Sequence, residues 1–291
     1  MAQLADAIKA FSRSRAAGAS LALLALLVLA AAFAPWISPQ DPYDLAQLDV
    51  LDARLPPGSH SSAGGLYLLG TDDMGRDMFS AMLYGLRTSL IAGTASTLFA
   101  LAIGLAFGLA AAWFGGWVDA LIMRIVDIQL SFPSILIALV LLAVLGQGLD
   151  KIVIALVSVQ WAYYARTVRG TALSERRKDY VDAAAALATP AWRIVVRHLL
   201  PNCLPPLLVV AALQIAAAIA LEATLSFLGL GLPITRPSLG LLIANGYTYL
   251  LSGKYWISLF PGLALLATIV CVNLVADRLR ELLDPRLGTS R

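Results

Sequence analysis

The sequence has few charged residues: they make up 13% of its 291 residues, against roughly 25% in an ordinary soluble protein. Hydrophobic residues make up 59% of the chain. A core cannot hide this much apolar side chain and still leave a polar surface. The shortage of charge therefore excludes a soluble globular protein and indicates that lipid surrounds much of the chain.

Cysteine and histidine are also scarce, with two of each. Cys203 and Cys271 lie far apart in or beside apolar stretches, which predicts small core residues rather than a disulfide framework. His60 and His198 fall in connections expected on opposite sides of the membrane, and no His, Cys and Asp residues have the spacing of metal ligands. The sequence therefore predicts no metal site, and it disfavours an intramembrane protease, which needs a nucleophile beside a base.

A phosphate-binding loop is missing as well. The single Gly-Lys pair, Gly253-Lys254, is followed by tyrosine, and Thr248 stands where that loop requires its first glycine. Any ATP hydrolysis that drives this protein must therefore occur on another chain. An ion-coupled secondary transporter is the alternative, but such a protein typically has several interior carboxylates, and here only Glu222 and Asp127 are available.

Six apolar stretches are long enough, at about 20 residues, to cross a ~30 Å hydrocarbon core. The first resembles a cleavable signal, but Pro35 follows the cleavage-like site and the apolar run continues to Ile37, so a retained membrane helix is expected. The predicted fold class is an all-α membrane protein with six transmembrane helices. Their approximate limits are 18–37, 89–114, 128–147, 152–169, 205–229 and 256–276.

Lysine and arginine are unevenly divided among the connections. With six spans, 15 of the 21 Lys and Arg residues fall on the side that carries both termini, and the positive-inside rule makes this side cytoplasmic. The connection between the first two spans has seven acidic and three basic residues and is expected to face outward. The expected order is a cytoplasmic N-terminus 1–17, a first transmembrane helix 18–37, a periplasmic segment 38–88, a five-helix core 89–276 and a cytoplasmic tail 277–291.

The connection 164–203 is too long for a simple link between two membrane helices, which usually has about 2–8 residues. Its alanine-rich residues 182–188 favour a helix. Thr189 is then predicted to cap a second helix, and Pro190 to occupy the first position of that helix. A helix–turn–helix is therefore expected between spans four and five.

The second of these short helices is expected to run from Trp192 to Leu200 and to stop at Pro201. Arg193 and Arg197 lie four residues apart on one face. Such a helix suits docking to a cytoplasmic partner, and it equally suits resting on anionic lipid. Its apolar face is predicted to contain Trp192, Val195, Val196 and Leu199.

The run 179–188, followed by Leu200-Pro201-Asn202, resembles the E-A-A-x-x-x-G loop of membrane subunits in ABC importers. In that family the loop contains the coupling helix, which docks into a cleft on the ATP-hydrolysing subunit. Asp182 replaces the usual glutamate and Ala188 the usual glycine, and the break at Thr189-Pro190 is expected to compensate for the missing glycine. The resemblance implies a coupling loop 171–203 whose contact residues include Asp182, Ala183, Ala184, Ala188, Trp192, Arg193, Leu200 and Pro201.

Further motifs narrow the resemblance to permeases for dipeptides, oligopeptides and nickel, and most closely to dipeptide permeases of the C-subunit type. A run before the second span is similar to the signature G-T-D-x-x-G-R-D of this subgroup; the matching residues are Gly70, Thr71, Asp72, Gly75, Arg76 and Asp77. Any one motif is weak, but several in the right order are a strong indication. The other similar segments are Met123–Asp127, Ser131–Pro133, Leu225–Gly231 and Asp284–Arg286.

The resemblance implies a permease subunit of an ATP-driven importer in a bacterial inner membrane, not an enzyme. Such a subunit pairs with a homologous second permease and binds two ATPase subunits or lobes, which carry ATP and Mg²⁺. A soluble binding protein delivers the substrate, and no nucleic acid and no cofactor on this chain are implied. Short peptides are the expected cargo because the linker Leu55–Leu69 resembles that of dipeptide permeases; nickel or other metal chelates, glutathione and opine-like compounds stay open.

The acidic residues of the signature do not have the spacing of a calcium loop. Asp72, Asp73 and Asp77 are instead expected to cap a helix that begins near Met74 and to pair with Arg76 or with a neighbouring chain.

Two roles stay open at this stage. The segment 38–88 is either the docking site of the binding protein or a structural lid. Glu222 is the one carboxylate deep in an apolar span, and such groups usually face a pathway or are paired inside the bundle. It is therefore either a gate or substrate contact, or a member of a hydrogen bond between helices.

Overall fold

A computed structural model describes residues 14–44, 46, 48–62 and 64–283, and most of these residues are helical. Most of the predicted N-terminal segment and the end of the predicted tail, with the Asp284–Arg286 motif, lie outside the described residues. The helices are α1 Arg15–Ala32, α2 Ala34–Ile37, α3 Met78–Phe114, α4 Gly116–Ser131, α5 Ser134–Leu145, α6 Leu149–Arg176, α7 Asp179–Ala186, α8 Ala191–Ile194, α9 Leu200–Phe227, α10 Leu239–Tyr247 and α11 Trp256–Leu283.

Short elements complete the described chain. The connection between α2 and α3 contains a 3₁₀ turn, Val50–Asp52, and a hairpin of two strands, β1 Ser59–His60 and β2 Leu66–Tyr67, which pair antiparallel. The prediction of an all-helical chain is therefore wrong for this connection. A second 3₁₀ turn covers Leu250–Ser252, and a π turn covers Val195–Leu199.

Four helical stretches of the described chain are long and apolar enough to cross a membrane, and the pair α4 and α5 adds a fifth if it counts as one broken span. α6 is 28 residues long but contains Gln160, Arg166 and Arg169, and it is not among them. The structure thus shows a mostly helical membrane protein with four or five candidate spans, where the sequence predicted six. The four stretches are Arg15–Ala32, Met78–Phe114, Ala191–Phe227 and Trp256–Leu282.

The predicted third span, 128–147, is not one helix. The chain leaves α4 at Ser131 and enters α5 at Ser134, and the two helices are bent by 93°. Phe132 is extended, with ψ 144°, because the residue before a proline is pushed out of the helical region. Pro133 then occupies the N-cap position of α5, where its missing N–H removes no helical bond.

The helix predicted to stop at Pro201 instead continues into α9. The backbone widens into the π turn, so the Leu200 N–H donates to the Val195 carbonyl, five residues earlier. Pro201 then lies in the first turn of α9, where a proline is tolerated because its N–H would not be needed. The helix that contains the predicted fifth span, 205–229, therefore begins before residue 205, and Pro205 and Pro206 lie inside it.

The bundle is built around α3 and α6, which pack along much of their length. Gly104 faces Tyr164 and Gly108 faces Val168, so the two helices run in the same direction. A Cβ atom at Gly104 would lie 2.4 Å from the Tyr164 Cβ atom, which shows how closely the helices approach. The helices α9 and α11 pack beside this pair, and α1 lies against α11.

Candidate functional site

The connection from α6 to α9, residues 177–199, is fastened to the end of α3 by Arg176. The guanidinium Nη1 donates to the carbonyls of Ala112 and Trp113, at 2.8 and 2.7 Å. It also lies over the Trp113 ring, 5.2 Å from the ring centroid. These carbonyls belong to the last turn of α3, which has no helical partner for them. Arg176 therefore links the end of α6, where the α6–α9 loop begins, to the end of α3.

The interior of the α6–α9 loop is a small apolar cluster. Val181 of α7, Ile194 of α8 and Leu199 of the π turn are buried against one another, and Ala184 and Trp113 pack on them. The predicted apolar face is therefore only partly right. Leu199 is buried, but Trp192 and Val196 are exposed, and Ile194 takes their place in the interior.

The surface of the same loop is apolar and open. Leu187 is 82% exposed and Trp192 64% exposed, and Val196 is exposed beside them. Trp192 and Val196 line a cavity of about 460 Å³. Among the predicted contact residues, Leu200 and Ala184 are half-buried and the others are exposed: Asp182, Ala183, Ala188, Trp192, Arg193 and Pro201.

The turn between α7 and α8 shows what replaced the missing glycine. Ala188 itself adopts the left-handed conformation, with φ +52°, so the break at Thr189-Pro190 does not relieve it. The Thr189 N–H donates to the Ala184 carbonyl at 3.2 Å, which closes the end of α7. The predicted cap is also shifted by one residue, because Pro190 and not Thr189 precedes α8, and no side chain caps that helix.

At the other end of α3, the signature Gly70–Asp77 forms a buried turn around an ion pair. The Arg76 Nε atom lies 2.6 Å from the Asp72 Oδ2 atom, and both side chains are fully buried. The Asp72 Oδ1 atom accepts from the backbone N–H groups of Met74 and Arg76, each at 2.9 Å. Sequence reasoning correctly anticipated the pairing of Asp72 with Arg76.

Two further bonds join this turn to distant parts of the chain. The Arg76 Nη1 atom donates to the Ile234 carbonyl at 3.1 Å, in the connection before α10. The Trp256 Nε1 atom donates to the Thr71 carbonyl at 3.1 Å, at the start of α11. The signature therefore ties the beginning of α3 to the ends of the helices beside it.

The helix predicted to begin near Met74 begins at Met78. Asp77 is its N-cap, and its carboxylate accepts from the Ser80 N–H at 2.8 Å. The four residues before Met78 lie in the signature turn instead of in the helix. Gly75 has φ +80°, and a Cβ atom there would lie 2.2 Å from the Asp49 carbonyl oxygen, so only glycine fits.

Asp52 is a further buried carboxylate at this end of α3, 4% exposed. It accepts from the Ser61 hydroxyl at 2.8 Å, from the Ser62 N–H at 3.1 Å and from the Tyr67 hydroxyl at 2.9 Å. Burial alone would raise the pKa of Asp52, but these hydrogen bonds outweigh it and hold the pKa below its ordinary value of 3.8. We call Asp52 together with Gly70–Asp77 the signature brace.

Glu222 lies in the middle of the bundle and is fully buried. Its two carboxylate oxygens accept from the hydroxyls of Ser89 on α3, at 2.7 Å, and Ser226 on α9, at 2.8 Å. The contact thus joins two long helices, and no described cavity is lined by this side chain.

Comparison with known proteins decides which of the expected families applies. Residues 102–289 match the family described as the binding-protein-dependent transport system inner membrane component. Residues 2–57 match the N-terminal transmembrane domain of oligopeptide transport permease C. The chain belongs to the binding-protein-dependent permease family. Its members are transport permeases and not enzymes, and the second match confirms the predicted C-subunit type.

Curated relatives of this permease cover most of its length. A putative peptide transport system permease protein of Brucella suis is 42% identical, over 94% of this chain and 89% of the relative. A probable D,D-dipeptide transport system permease protein of Escherichia coli is 39% identical, over 92% and 87%. A glutathione transport system permease protein of Pectobacterium atrosepticum is 36% identical, over 91% and 85%.

A solved structure supports the permease fold. The inward-facing MetNI methionine ABC transporter contains a chain that this permease resembles with a TM-score of 0.57 and 22% identity, covering 72% of this permease and 100% of that chain. At this identity the likeness concerns the fold alone. Within the part of the permease that the structure describes, no group of three His, Cys, Asp or Glu side chains could hold a metal ion.

Sequence reasoning missed several residues that organise this permease. Asp52, Arg176 and Arg236 were not singled out, and Asp127 was considered only as a carboxylate available to an ion-coupled transporter, although it pairs with Arg166 of α6. No local pattern marks Asp52 or Arg176, because their partners lie far away in sequence or are backbone groups. A signal did exist for Arg236: it is one of only six basic residues expected outside.

Proposed function

We propose that this chain is a permease subunit that imports short peptides, driven by ATP hydrolysed on partner subunits. The names of its peptide and D,D-dipeptide relatives support this cargo, at 42% and 39% identity. The observation that carries the coupling to ATPase subunits is the apolar, exposed surface of the α6–α9 loop at one end of a packed bundle. The glutathione relative favours a second candidate, since glutathione is itself a short peptide with two free carboxylates. Nickel or other metal chelates and opine-like compounds are alternatives that no described feature favours.

We propose that α6 also crosses the membrane, as the fourth of six spans with α4 and α5 counted as one broken span, and that both termini are cytoplasmic. Its 28 residues reach about 42 Å, which exceeds a ~30 Å hydrocarbon core. Two of its arginines are paired, because Arg166 contacts Asp127 and Arg169 contacts Asp119 on α4. The division of lysine and arginine then places the α6–α9 loop inside and the connection between α2 and α3 outside.

In this arrangement the loop 171–203 docks on an ATPase subunit that holds ATP and Mg²⁺. A second, homologous permease supplies the other half of the pathway, and a binding protein delivers the peptide to the 38–88 side. When ATP closes the ATPase pair, the α6–α9 loop moves as one body because its interior is packed. Arg176 passes that movement to α3, and the pathway opens outward. The free energy comes from the different affinity for ATP in the two states.

The coupling surface is tested by truncating its exposed side chains. Ala184 is a poor target because it packs inside the loop, so a glutamate there would disturb the loop itself. Leu187→Ala with Trp192→Ala removes only exposed surface, and Leu251→Ala, which is fully exposed in another connection, is the matched control. ATPase activity stimulated by the loaded binding protein, and peptide uptake, are measured in reconstituted complexes.

We expect the stimulated ATPase activity and the uptake of the double variant to fall by about tenfold or more. A tryptophan that becomes buried when two proteins dock is a frequent hot spot of the interface. The control is expected to behave like the unmodified complex. Full stimulation in the double variant would refute the docking surface.

Orientation is tested with an impermeant thiol reagent on intact cells. Leu251→Cys is expected to react from outside and Leu187→Cys is not. Both positions are exposed, and the two native cysteines are buried. The reverse pattern would overturn the orientation and the placement of the coupling loop.

For Glu222 we propose a packing role rather than a gate. Its burial and its two serine partners support this role. Glu222→Gln retains one acceptor and should cost about 0.6 kcal/mol, the average for such bonds in membranes, leaving uptake near normal. A Gln variant that assembles fully and yet fails to transport would show that the charge acts in the pathway.

A further inference from the structure

We infer that Arg236 and Asp150 form a binding site for the two charged ends of a zwitterionic short peptide at the outward end of the pathway. Arg236 takes the terminal carboxylate and Asp150 takes the terminal ammonium group. The inference rests on the proposed function, and it names residues that no relative's description assigns.

Two adjoining cavities share Arg236 and Leu149 in their walls. The first, of about 590 Å³, is lined by the hydroxyl groups of Tyr43, Thr88 and Thr235. The second, of about 810 Å³, is lined by Asp150 and by apolar side chains of α3 and α6, among them Phe99. Both volumes fall in the range of about 300–1,000 Å³ that is typical of sites for small molecules.

Arg236 is free to bind a ligand. Its side chain is exposed, and among the described residues its guanidinium makes no hydrogen bond or ion pair. Three of the five other basic groups expected on this side are engaged: Arg76 pairs with Asp72, Lys151 pairs with Asp150, and Arg54 lies over the Tyr249 ring. A free guanidinium offers a fork of donors that matches a carboxylate with two parallel hydrogen bonds.

The backbone that carries Arg236 is held in place by the signature brace. The Arg236 N–H donates to the Pro233 carbonyl at 2.9 Å, which closes a turn. Within that turn the Ile234 carbonyl accepts from Arg76. Just beyond it, buried Ser238 caps α10 by accepting from the Leu241 N–H. Arg76 is thus a positioning residue for Arg236, and the fixed turn lowers the entropic cost of binding.

Asp150 is positioned by another family motif. The residues just before α6 are bound to the end of Leu225–Gly231: the Gln147 Nε2 atom donates to the Gly229 carbonyl at 2.8 Å, and the Gly148 N–H donates to the Gly231 carbonyl at 3.1 Å. The Asp150 Oδ2 atom lies 2.8 Å from the Lys151 amine, and the side chain is 68% exposed. A carboxylate has about four lone-pair sites, so one lysine leaves room for a ligand ammonium group.

The chemistry of the two cavities matches one class of ligand. Opposite charges stand in the walls, hydroxyl groups lie on one side, and an apolar surface lies on the other. A short peptide offers a carboxylate, an ammonium group, a polar backbone and side chains of variable size. An apolar wall without hydrogen-bonding groups accepts many different side chains. This suits a site that recognises a peptide by its charged ends.

The test uses the complete complex in proteoliposomes, with dialanine as the probe. Arg236→Gln removes the charge, Arg236→Lys keeps it, and Asp150→Asn removes the opposite charge. Lys254→Gln is the control, a cation in the connection between α10 and α11 that lines neither cavity. Two quantities are measured at saturating binding protein: the rate of dialanine uptake, and the ATPase activity that the loaded binding protein stimulates.

We expect Arg236→Gln and Asp150→Asn to lower the rate of dialanine uptake by about tenfold or more. Loss of one charge-assisted hydrogen bond weakens binding by about this factor. Arg236→Lys should retain more uptake than Arg236→Gln. Stimulated ATPase activity should stay within about twofold, as for the control.

The other outcomes overturn the inference. Uptake by Arg236→Gln at the normal rate would show that the guanidinium does not bind the peptide. An equal fall of uptake and stimulated ATPase activity would assign Arg236 to docking of the binding protein instead. If the unmodified complex imports no dialanine or other short peptide, the proposed function fails and the site with it; that result precedes any comparison of variants.

Discussion

The signature brace and the α6–α9 loop lie at opposite ends of α3 and are built in opposite ways. The brace buries most of its charged side chains, with Asp72 and Arg76 fully buried, and satisfies most of their hydrogen bonds within the chain. The α6–α9 loop has a small packed interior and leaves Leu187 and Trp192 in the open. Both segments contain motifs of the same permease family. The brace finds most of its polar partners within the chain, whereas the loop leaves an apolar surface exposed, which is typical of a contact with another protein or with lipid.

Breaking the buried ion pair of the brace should lower the folding stability of the permease more than any other change considered below. Arg76→Ala leaves Asp72 buried without its counter-charge, which costs about 3–5 kcal/mol of folding free energy. Arg87→Ala, at a half-buried position of α3, is the control and should change stability by no more than about 0.5 kcal/mol. Thermal unfolding of the detergent-solubilised permease measures both. Equal midpoints would mean that the brace does not stabilise the fold.

The tightness of the brace is tested with two glycines of similar backbone conformation. Gly75 and Gly58 have φ of +80° and +81°, so alanine at either position costs about 1–2 kcal/mol. Only Gly75 is crowded, since its Cβ would meet the Asp49 carbonyl oxygen, and this adds about 1–3 kcal/mol. The unfolding midpoint of Gly75→Ala should therefore lie well below that of Gly58→Ala. Equal midpoints would contradict the close packing around Gly75.

Acid should loosen the brace before the rest of the bundle. The pKa of Asp52 is lower in the folded state than its ordinary value of 3.8, so its stabilisation is complete above that value and is lost as the pH falls further, through the folded-state pKa. Hydrogen exchange of residues 48–62 should accelerate over this window. Asp52→Asn should exchange faster at neutral pH and lose the acid response; an unchanged acid response in this variant would assign the effect to another group.

The smallest expected effect concerns the α6–α9 loop. Ala188→Gly removes a left-handed conformation that costs alanine about 1–2 kcal/mol, partly offset by the greater freedom of glycine in the unfolded chain, about 0.5–1 kcal/mol. The loop should become slightly more resistant to limited proteolysis. Ala186→Gly, at the end of α7, should make it slightly less resistant. A loss of resistance in Ala188→Gly would mean that the turn is not strained.

Much of this molecule could be predicted from sequence because its signals are local. The apolar stretches predicted the long helices, the spacing of Asp72 and Arg76 placed them within reach of each other, and alanine-rich residues predicted α7. The predictions failed where the answer depends on a distant partner. The partners of Asp52 lie 9 to 15 residues away across a hairpin, and those of Arg176 are carbonyls more than 60 residues earlier.

The prolines show the same contrast between effects of the residue itself and effects of its surroundings. Pro133 ends a helix and bends the chain because it lacks an N–H, which is a local property, although a single span was predicted across it. Pro201 was expected to end one helix and residue 205 to begin the next span, yet one helix runs through Pro201, Pro205 and Pro206. The π turn before Pro201 changes the hydrogen-bond register, and nothing in the residues themselves predicted that change.

The sequence by itself determined that this permease lies in lipid, that it is mostly helical and to which family it belongs. Hydropathy and short motifs are properties of neighbouring residues. The tertiary structure decided which charges are buried, where the chain bends, and which apolar side chains of the α6–α9 loop face outward. It also decided that Arg236, an ordinary surface residue in the sequence, stands free between two cavities. The reason is that burial and pairing depend on groups brought together by packing, and sequence distance does not encode that packing.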